Sequence, residues 1–218
     1  MKLYLSSFLL GNDPAPLIRM AGNNARCALI LNALDNAPEA REQFRSSQTT
    51  VMSKLGFSVK ELDLRSYFTS KDQLASDLRA FDMLWVNGGN AFILRKAMRQ
   101  SGLDMLLPTL LAQKRIVYAG FSAAAVIASS DLRGLTPSAA SYEALSGYND
   151  GLIWEGLQII SAAIVVHYDS DHPGRDQAAD EARYYQQNNI PHRLLRDGEA
   201  LVIDGSSEFV AGWPDRVS

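Results

Sequence analysis

Ile116-Val117-Tyr118-Ala119-Gly120-Phe121-Ser122-Ala123-Ala124 decides the fold, because it reads as a buried strand that runs straight into a helix. No residue from Ile116 to Phe121 is charged, as expected of a strand covered on both faces. A serine at the junction, with glycine two positions before it, fits a nucleophile elbow. Such a turn lifts the hydroxyl clear of the backbone at the carboxyl edge of a sheet. It also aims the helix N-terminus and the amide of Ala123 at any negative charge that forms beside Ser122. The usual pattern is Gly-x-Ser-x-Gly, since strand and helix must approach closely, and Ala124 stands here at the second glycine. The competing reading is a serine that only caps a helix.

Outward from this junction, short apolar runs alternate with amphipathic segments. Strands are expected at the N-terminus, at Arg26 to Leu34, Ser58 to Leu64, Met83 to Val86 and Ser161 to Val166. Helices are expected from Pro38 to Leu55, around Leu74 to Phe81, from Asn90 to Gln113 with a break near Gly102, and from about Arg175 to Asn188. Gly11 to Asn24 and Gly134 to Gly151 read as loops, the second long enough to lie over an active site. Turn signals at Asp197-Gly198 and Asp204-Gly205 predict two or three short strands at the end, joined as hairpins. Alternating strands and helices imply an α/β fold with a parallel sheet covered on both faces. With no repeat, linker or low-complexity tract, residues 1–218 are expected to form one domain.

Bulk composition narrows the function. With 47% hydrophobic and 21% charged residues and a net charge of −3, the chain has the balance of a globular protein. It lacks the basic face of a nucleic-acid binder. Cys27 is the only cysteine, which rules out an intrachain disulfide and points to the cytoplasm. MKLYLSSFLL at the N-terminus is short, broken by Ser6 and Ser7, and reads as a strand rather than a signal peptide. No stretch has the length of a membrane span.

Two other sites belong to the same sheet edge. Asn87-Gly88-Gly89-Asn90 follows the Met83 strand, and bare glycine amides there suit an anion or oxyanion, although Gly-Gly is also a routine turn. His167 ends the apolar run Ala162 to Val166, where it is placed to act as a general base or to serve as a structural histidine. His192 directly follows Pro191, beyond a helix, which leaves His172 as the second candidate. His167 and His172 are five apart in a loop without paired ligand spacing, so no metal is expected. No cofactor is expected either.

Taken in order and spacing, YAGFSAAAVIAS, VNGGNAF and VVHYDSDHPG resemble the aspartyl dipeptidase (peptidase E) family of serine peptidases, which includes cyanophycinase. The likeness runs from about Leu29 to Gly205. It implies a flavodoxin-like parallel sheet related to class I glutamine amidotransferases, with a small antiparallel addition at the C-terminus. It also implies Ser122 as nucleophile, His167 as base, and the amides of Ala123 and of Gly88 or Gly89 as oxyanion hole. The family's carboxylate in a late turn corresponds to Asp197, and its acid after the nucleophile helix to Asp131. Asp197 is favoured to orient His167, since a late turn can fold back under the histidine loop, with Asp131 as the alternative.

The resemblance also frames the substrate. It implies a short peptide, handled by a monomer or homodimer with no nucleic-acid or membrane partner. Asn90, Asp169, Asp171, Arg175 and Gln177 are the candidate substrate contacts. Asp169 and Asp171, with Asp176, are the acids nearest the site for a substrate ammonium. Family members specific for an N-terminal aspartate carry an arginine where this chain has Gln177, and Arg175 is the nearest cation. Aspartyl preference is therefore expected to be weak. A binding or regulatory protein on the same fold, its elbow impaired by Ala124, is the alternative from another functional class.

Overall fold

The computed structural model describes residues 1–212. Nine strands run β1 (Lys2–Ser6), β2 (Arg26–Ile30), β3 (Ser58–Glu61), β4 (Met83–Val86), β5 (Val117–Phe121), β6 (Ala163–Val165), β7 (His192–Leu194), β8 (Ala200–Asp204) and β9 (Ser207–Ala211). Between them lie α1 (Ala15–Ala21), α2 (Pro38–Lys54), α3 (Lys71–Asp77), α4 (Ala91–Ser101), α5 (Leu103–Ala112), α6 (Ala123–Val126) and α7 (Arg175–Gln187). Gly102, at φ +80°, makes the break between α4 and α5 that the sequence predicts.

Seven strands form one sheet in the order β3-β2-β4-β5-β1-β8-β9. β1 to β5 pair in parallel, and β8 and β9 add antiparallel strands beyond β1. The run β3-β2-β4-β5 is the flavodoxin-like order, with β1 entering beside β5. Side chains alternate across each strand, and this divides the core in two. Leu3, Leu5, Ala28, Ile30, Leu84, Val86 and Tyr118 join α3 to α6 on one face. Tyr4, Cys27, Leu29, Met83, Trp85, Val117 and Phe121 pack on the other face with α1 and α2.

Three features differ from the sequence reading. The stretch from Gly11 to Asn24 contains α1: the Asp13 carboxylate accepts from the Ala15 amide at 3.0 Å, Pro16 suits a first turn, and Leu17 and Met20 are buried. The apolar run before His167 does not enter the main sheet, because β8 already fills the edge beside β1. β6 instead pairs in parallel with β7 in a separate two-stranded sheet. Asp197-Gly198 is therefore not a hairpin turn, whereas Asp204-Gly205 joins the paired strands β8 and β9. β6 faces the main core through Ile164, and Val166 just beyond it does the same. It faces α7 through Ala163 and Val165, against Ala178, Ala182 and Tyr185.

β5 and α6 meet at Gly120, where a Cβ would stand 2.3 Å from the Val86 carbonyl oxygen and 2.7 Å from the Ala124 Cβ. The carbonyl is fixed in the neighbouring strand and cannot withdraw. Gly120→Ala is expected to cost about 1–3 kcal/mol or more by overpacking, read as a lower urea midpoint. An unchanged midpoint would contradict this packing.

Candidate active site

Ser122 sits between β5 and α6 with φ +52° and ψ −112°, a region costly for any residue with a Cβ. Main-chain bonds hold it there. Its amide donates to the Ser6 carbonyl at 3.0 Å, and its carbonyl accepts from the amides of Ala125 at 2.9 Å and Val126 at 3.0 Å. The Tyr118 hydroxyl, from within β5, donates to the Ala124 carbonyl at 2.9 Å. The Ser122 side chain makes no capping hydrogen bond, so the capping role does not account for it. Ala124 fits without opening the turn, because its methyl occupies the space that Gly120 leaves.

Gly88 passes against this turn: a Cβ there would lie 2.8 Å from the Phe121 ring and 3.0 Å from the Ser122 Cβ. Gly89 has φ +138°, with the Ala33 carbonyl oxygen 2.6 Å from where its Cβ would be. Both positions therefore need glycine. Asn90 caps α4, its Oδ1 accepting from the amides of Phe92 at 3.0 Å and Ile93 at 3.1 Å. Its Nδ2 donates to Ser141 Oγ at 3.0 Å, which ties the 134–151 excursion to the sheet edge.

His167 follows β6 and reaches the elbow from the second sheet. Its Nε2 lies 3.1 Å from Ser122 Oγ and its Nδ1 lies 2.7 Å from Asp197 Oδ1. A carboxylate only accepts, so Nδ1 carries the proton and Nε2 is left to accept from the serine hydroxyl. Asp197 reaches this position because the chain after β7 stays paired with the histidine loop. The Leu195 amide donates to the Val165 carbonyl at 2.9 Å, and the Tyr168 amide to the Leu195 carbonyl at 3.1 Å. Asp131 lies elsewhere, paired with Arg133 at 2.9 Å.

Two further residues join this arrangement: Ser7, which the sequence does not single out, and His172, the second candidate histidine. Ser7, fully buried, donates to Asp197 Oδ1 at 2.8 Å and accepts from the His167 amide at 2.8 Å. Its only sequence signal is a polar residue at the end of an apolar strand, informative once β1 is known to lie beside β5. His172 stacks on His167, with ring centroids 3.6 Å apart and planes 4° from parallel. Phe8 meets both rings edge-on. Among the described residues, His167, His172 and Asp197 are close enough to share a cation. Stacked imidazoles, however, direct their in-plane lone pairs along parallel planes that do not converge on one ion.

A cleft of about 210 Å³ opens over Ser122 and His167, and Asn90, Gln177 and Glu181 also line it. Asp169 instead pairs with Arg196 at 2.9 Å. Asp171 and Arg175 border a separate depression with Asp176. Glu181, which the sequence reading did not single out, lies on the buried face of α7 among Ala178, Ala182 and Tyr185. A carboxylate within that apolar stripe was its available signal.

Burial pushes the His167 imidazole below its ordinary value of 6.5; the Asp197 hydrogen bond and charge oppose this, and His172 adds to it. The ring is therefore neutral at pH 7, as a base must be. An NMR titration should place its midpoint below 6.5. Asp197→Asn removes a group that raises the value and should lower the midpoint further, whereas His172→Ala should raise it. Opposite shifts would contradict this account of the electrostatics.

Comparison with known proteins bears on the fold and the family. An uncharacterized peptidase of Listeria innocua is 31% identical over 121 residues, 55% of this chain and 54% of that protein. One from Listeria monocytogenes is 28% identical over 119 residues, 55% of each. The chain thus spans about half the length of the curated relatives it matches. A crystal structure of a candidate peptidase E protein from Listeria monocytogenes superposes with a TM-score of 0.72 at 21% identity, covering 98% of both chains. A peptidase from an acI-B1 actinobacterium gives 0.65 at 18% identity, covering 97% of this chain and 87% of that one. At such identities the two structures show a common fold. The model of Peptidase family S51 matches residues 16–210, and the chain belongs to that family.

Proposed function

We propose that the protein is a serine exopeptidase of the dipeptidase E kind, hydrolysing dipeptides or short peptides with Ser122 as nucleophile, His167 as base and Asp197 as the acid behind it. The supporting observation is the unbroken hydrogen-bonded line from Ser122 Oγ through the His167 ring to Asp197, at 3.1 and 2.7 Å. It begins at a serine held at positive φ in a cleft. His167 Nε2 takes the Ser122 proton as Oγ attacks the scissile carbonyl. The oxyanion that forms is met by the amide of Ala123, at the start of α6, and by that of Gly88 or Gly89. The imidazolium then gives its proton to the departing amine, and Asp197 stabilises its charge meanwhile. Water enters, loses a proton to His167 and attacks the acyl carbon; as the acyl–Oγ bond breaks, His167 returns that proton to Ser122 Oγ. The small cleft favours the end of a short peptide over a folded chain.

Aspartyl specificity is not part of this reading. Among the described residues no lysine or arginine lines the cleft, and Gln177 donates its amide to the Thr136 carbonyl at 3.0 Å. A substrate carboxylate there would be desolvated without a cation, typically a penalty of several kcal/mol.

Two measurements test the proposal. A fluorophosphonate probe should label Ser122, and Ser122→Ala should remain folded while losing activity by a factor on the order of 10³ or more. A folded alanine variant with near wild-type turnover would reject the nucleophile, and an unlabelled Ser122 would favour a binding protein on this fold. In a dipeptide panel, kcat/KM for Asp-Leu should not greatly exceed that for Ala-Leu. A preference of about a hundredfold, roughly 2.7 kcal/mol, would overturn the specificity reading. Arg175→Gln would then show whether that side chain supplies the cation.

A further inference from the structure

We propose that Glu181 forms a subsite for an ammonium group of the peptide substrate, a role that rests on the peptidase reading above. Glu181, on α7, lines the cleft shared by Ser122 and His167, one helical turn beyond Gln177. It is 3% exposed, and its Oε1 is buried with no hydrogen-bond partner among the described residues. The Tyr185 hydroxyl is within hydrogen-bonding reach of the carboxyl, while it donates to the Asp131 carbonyl at 3.2 Å.

A buried carboxyl group with an idle oxygen is costly, and among the described residues Glu181 has no basic partner. Burial pushes its carboxyl up to about 8, so in the empty cleft it stays a neutral acid at pH 7. An entering ammonium supplies the missing charge and the missing donors together, and the proton leaves to solvent. Other polar groups on the cleft wall, from Asn90, Ser138 and Ser141, are neutral and suited to peptide carbonyls. Among the described residues, Glu181 is thus the acid that lines the cleft itself. Asp169 is paired with Arg196, and Asp171 and Asp176 border the separate depression.

The ammonium has two possible sources in a peptide: its free N-terminus or a lysyl side chain. Calorimetry on Ser122→Ala, which cannot turn the peptides over, separates them. Binding of Lys-Leu, norleucyl-leucine and N-acetyl-norleucyl-leucine is compared with that to Ser122→Ala/Glu181→Gln. In the single variant, removing one ammonium should weaken binding tenfold or more. In the double variant the same step should change binding less than twofold. A loss from Lys-Leu to norleucyl-leucine identifies the side chain, and a loss on acetylation identifies the N-terminus. Should the amide variant lose its cooperative melting, Glu181→Met, apolar and of similar length, repeats the comparison. The subsite is overturned if neither step exceeds twofold, if the ratio survives substitution of Glu181, or if no peptide binds. Labelling of wild-type Ser122 does not depend on this subsite. A labelled serine without ammonium discrimination therefore rejects Glu181 alone, and an unlabelled serine rejects the peptidase reading.

Discussion

The site depends on β1 lying against β5. That pairing places the Ser6 carbonyl where the Ser122 amide donates to it, anchoring the strained turn from the side. One residue further, Ser7 leaves the strand and bonds both the Asp197 carboxylate and the His167 amide. The first strand therefore holds the elbow through one residue and the histidine–aspartate pair through the next. Because β8 closes the other edge of β1, the segment carrying His167 is excluded from the main sheet. It must come to the elbow from a small sheet of its own.

This arrangement explains how a backbone conformation costing on the order of 1–3 kcal/mol persists at Ser122. The turn has little alternative: its amide is committed to β1, its carbonyl to α6, and the Gly120 position below it is filled by the Ala124 methyl. The same crowding requires Gly88 and Gly89, since a side chain at either would strike the elbow or the Ala33 carbonyl. Strain is thus carried by a few close contacts between neighbouring strands, where the backbone is least able to relax.

The parts of the fold legible in the sequence were those written in short-range chemistry. Buried strands, the helix break at Gly102 and the serine at a strand–helix junction each have a local signature. The placement of β6 has none, since an apolar run of three to six residues does not reveal which edge it will join. Asp197-Gly198 misled for the same reason: Asp-Gly favours a tight turn, but pairing of the flanking strands is decided by long-range neighbours. Ser7 was illegible as a site residue for a related cause. It is ordinary in its own segment and acquires meaning only from residues that the folded chain brings beside it, across 190 positions in the case of Asp197. Glu181 carries a local signal, a carboxylate in an apolar stripe, but its place in the cleft depends equally on long-range neighbours.

One physical cause acts on the two titratable groups of the cleft with opposite sign. Exclusion of water disfavours whichever form is charged, so it lowers the imidazole of His167 and raises the carboxyl of Glu181. Both side chains thereby favour their neutral forms at pH 7. On the proposed reaction path each then becomes charged against a defined partner, Glu181 against an ammonium and His167 against Asp197 as it takes the serine proton. The effective dielectric is low there, so each attraction is stronger than it would be in water. Selectivity follows from the same condition. On the proposed reading, a substrate carboxylate entering this cleft meets no cation among the described residues and a carboxyl group that would have to stay protonated beside it. An ammonium instead meets a group whose ionisation it makes favourable. On this proposal the sign of the buried side chain on α7 sets which charge a substrate can bring close to Ser122.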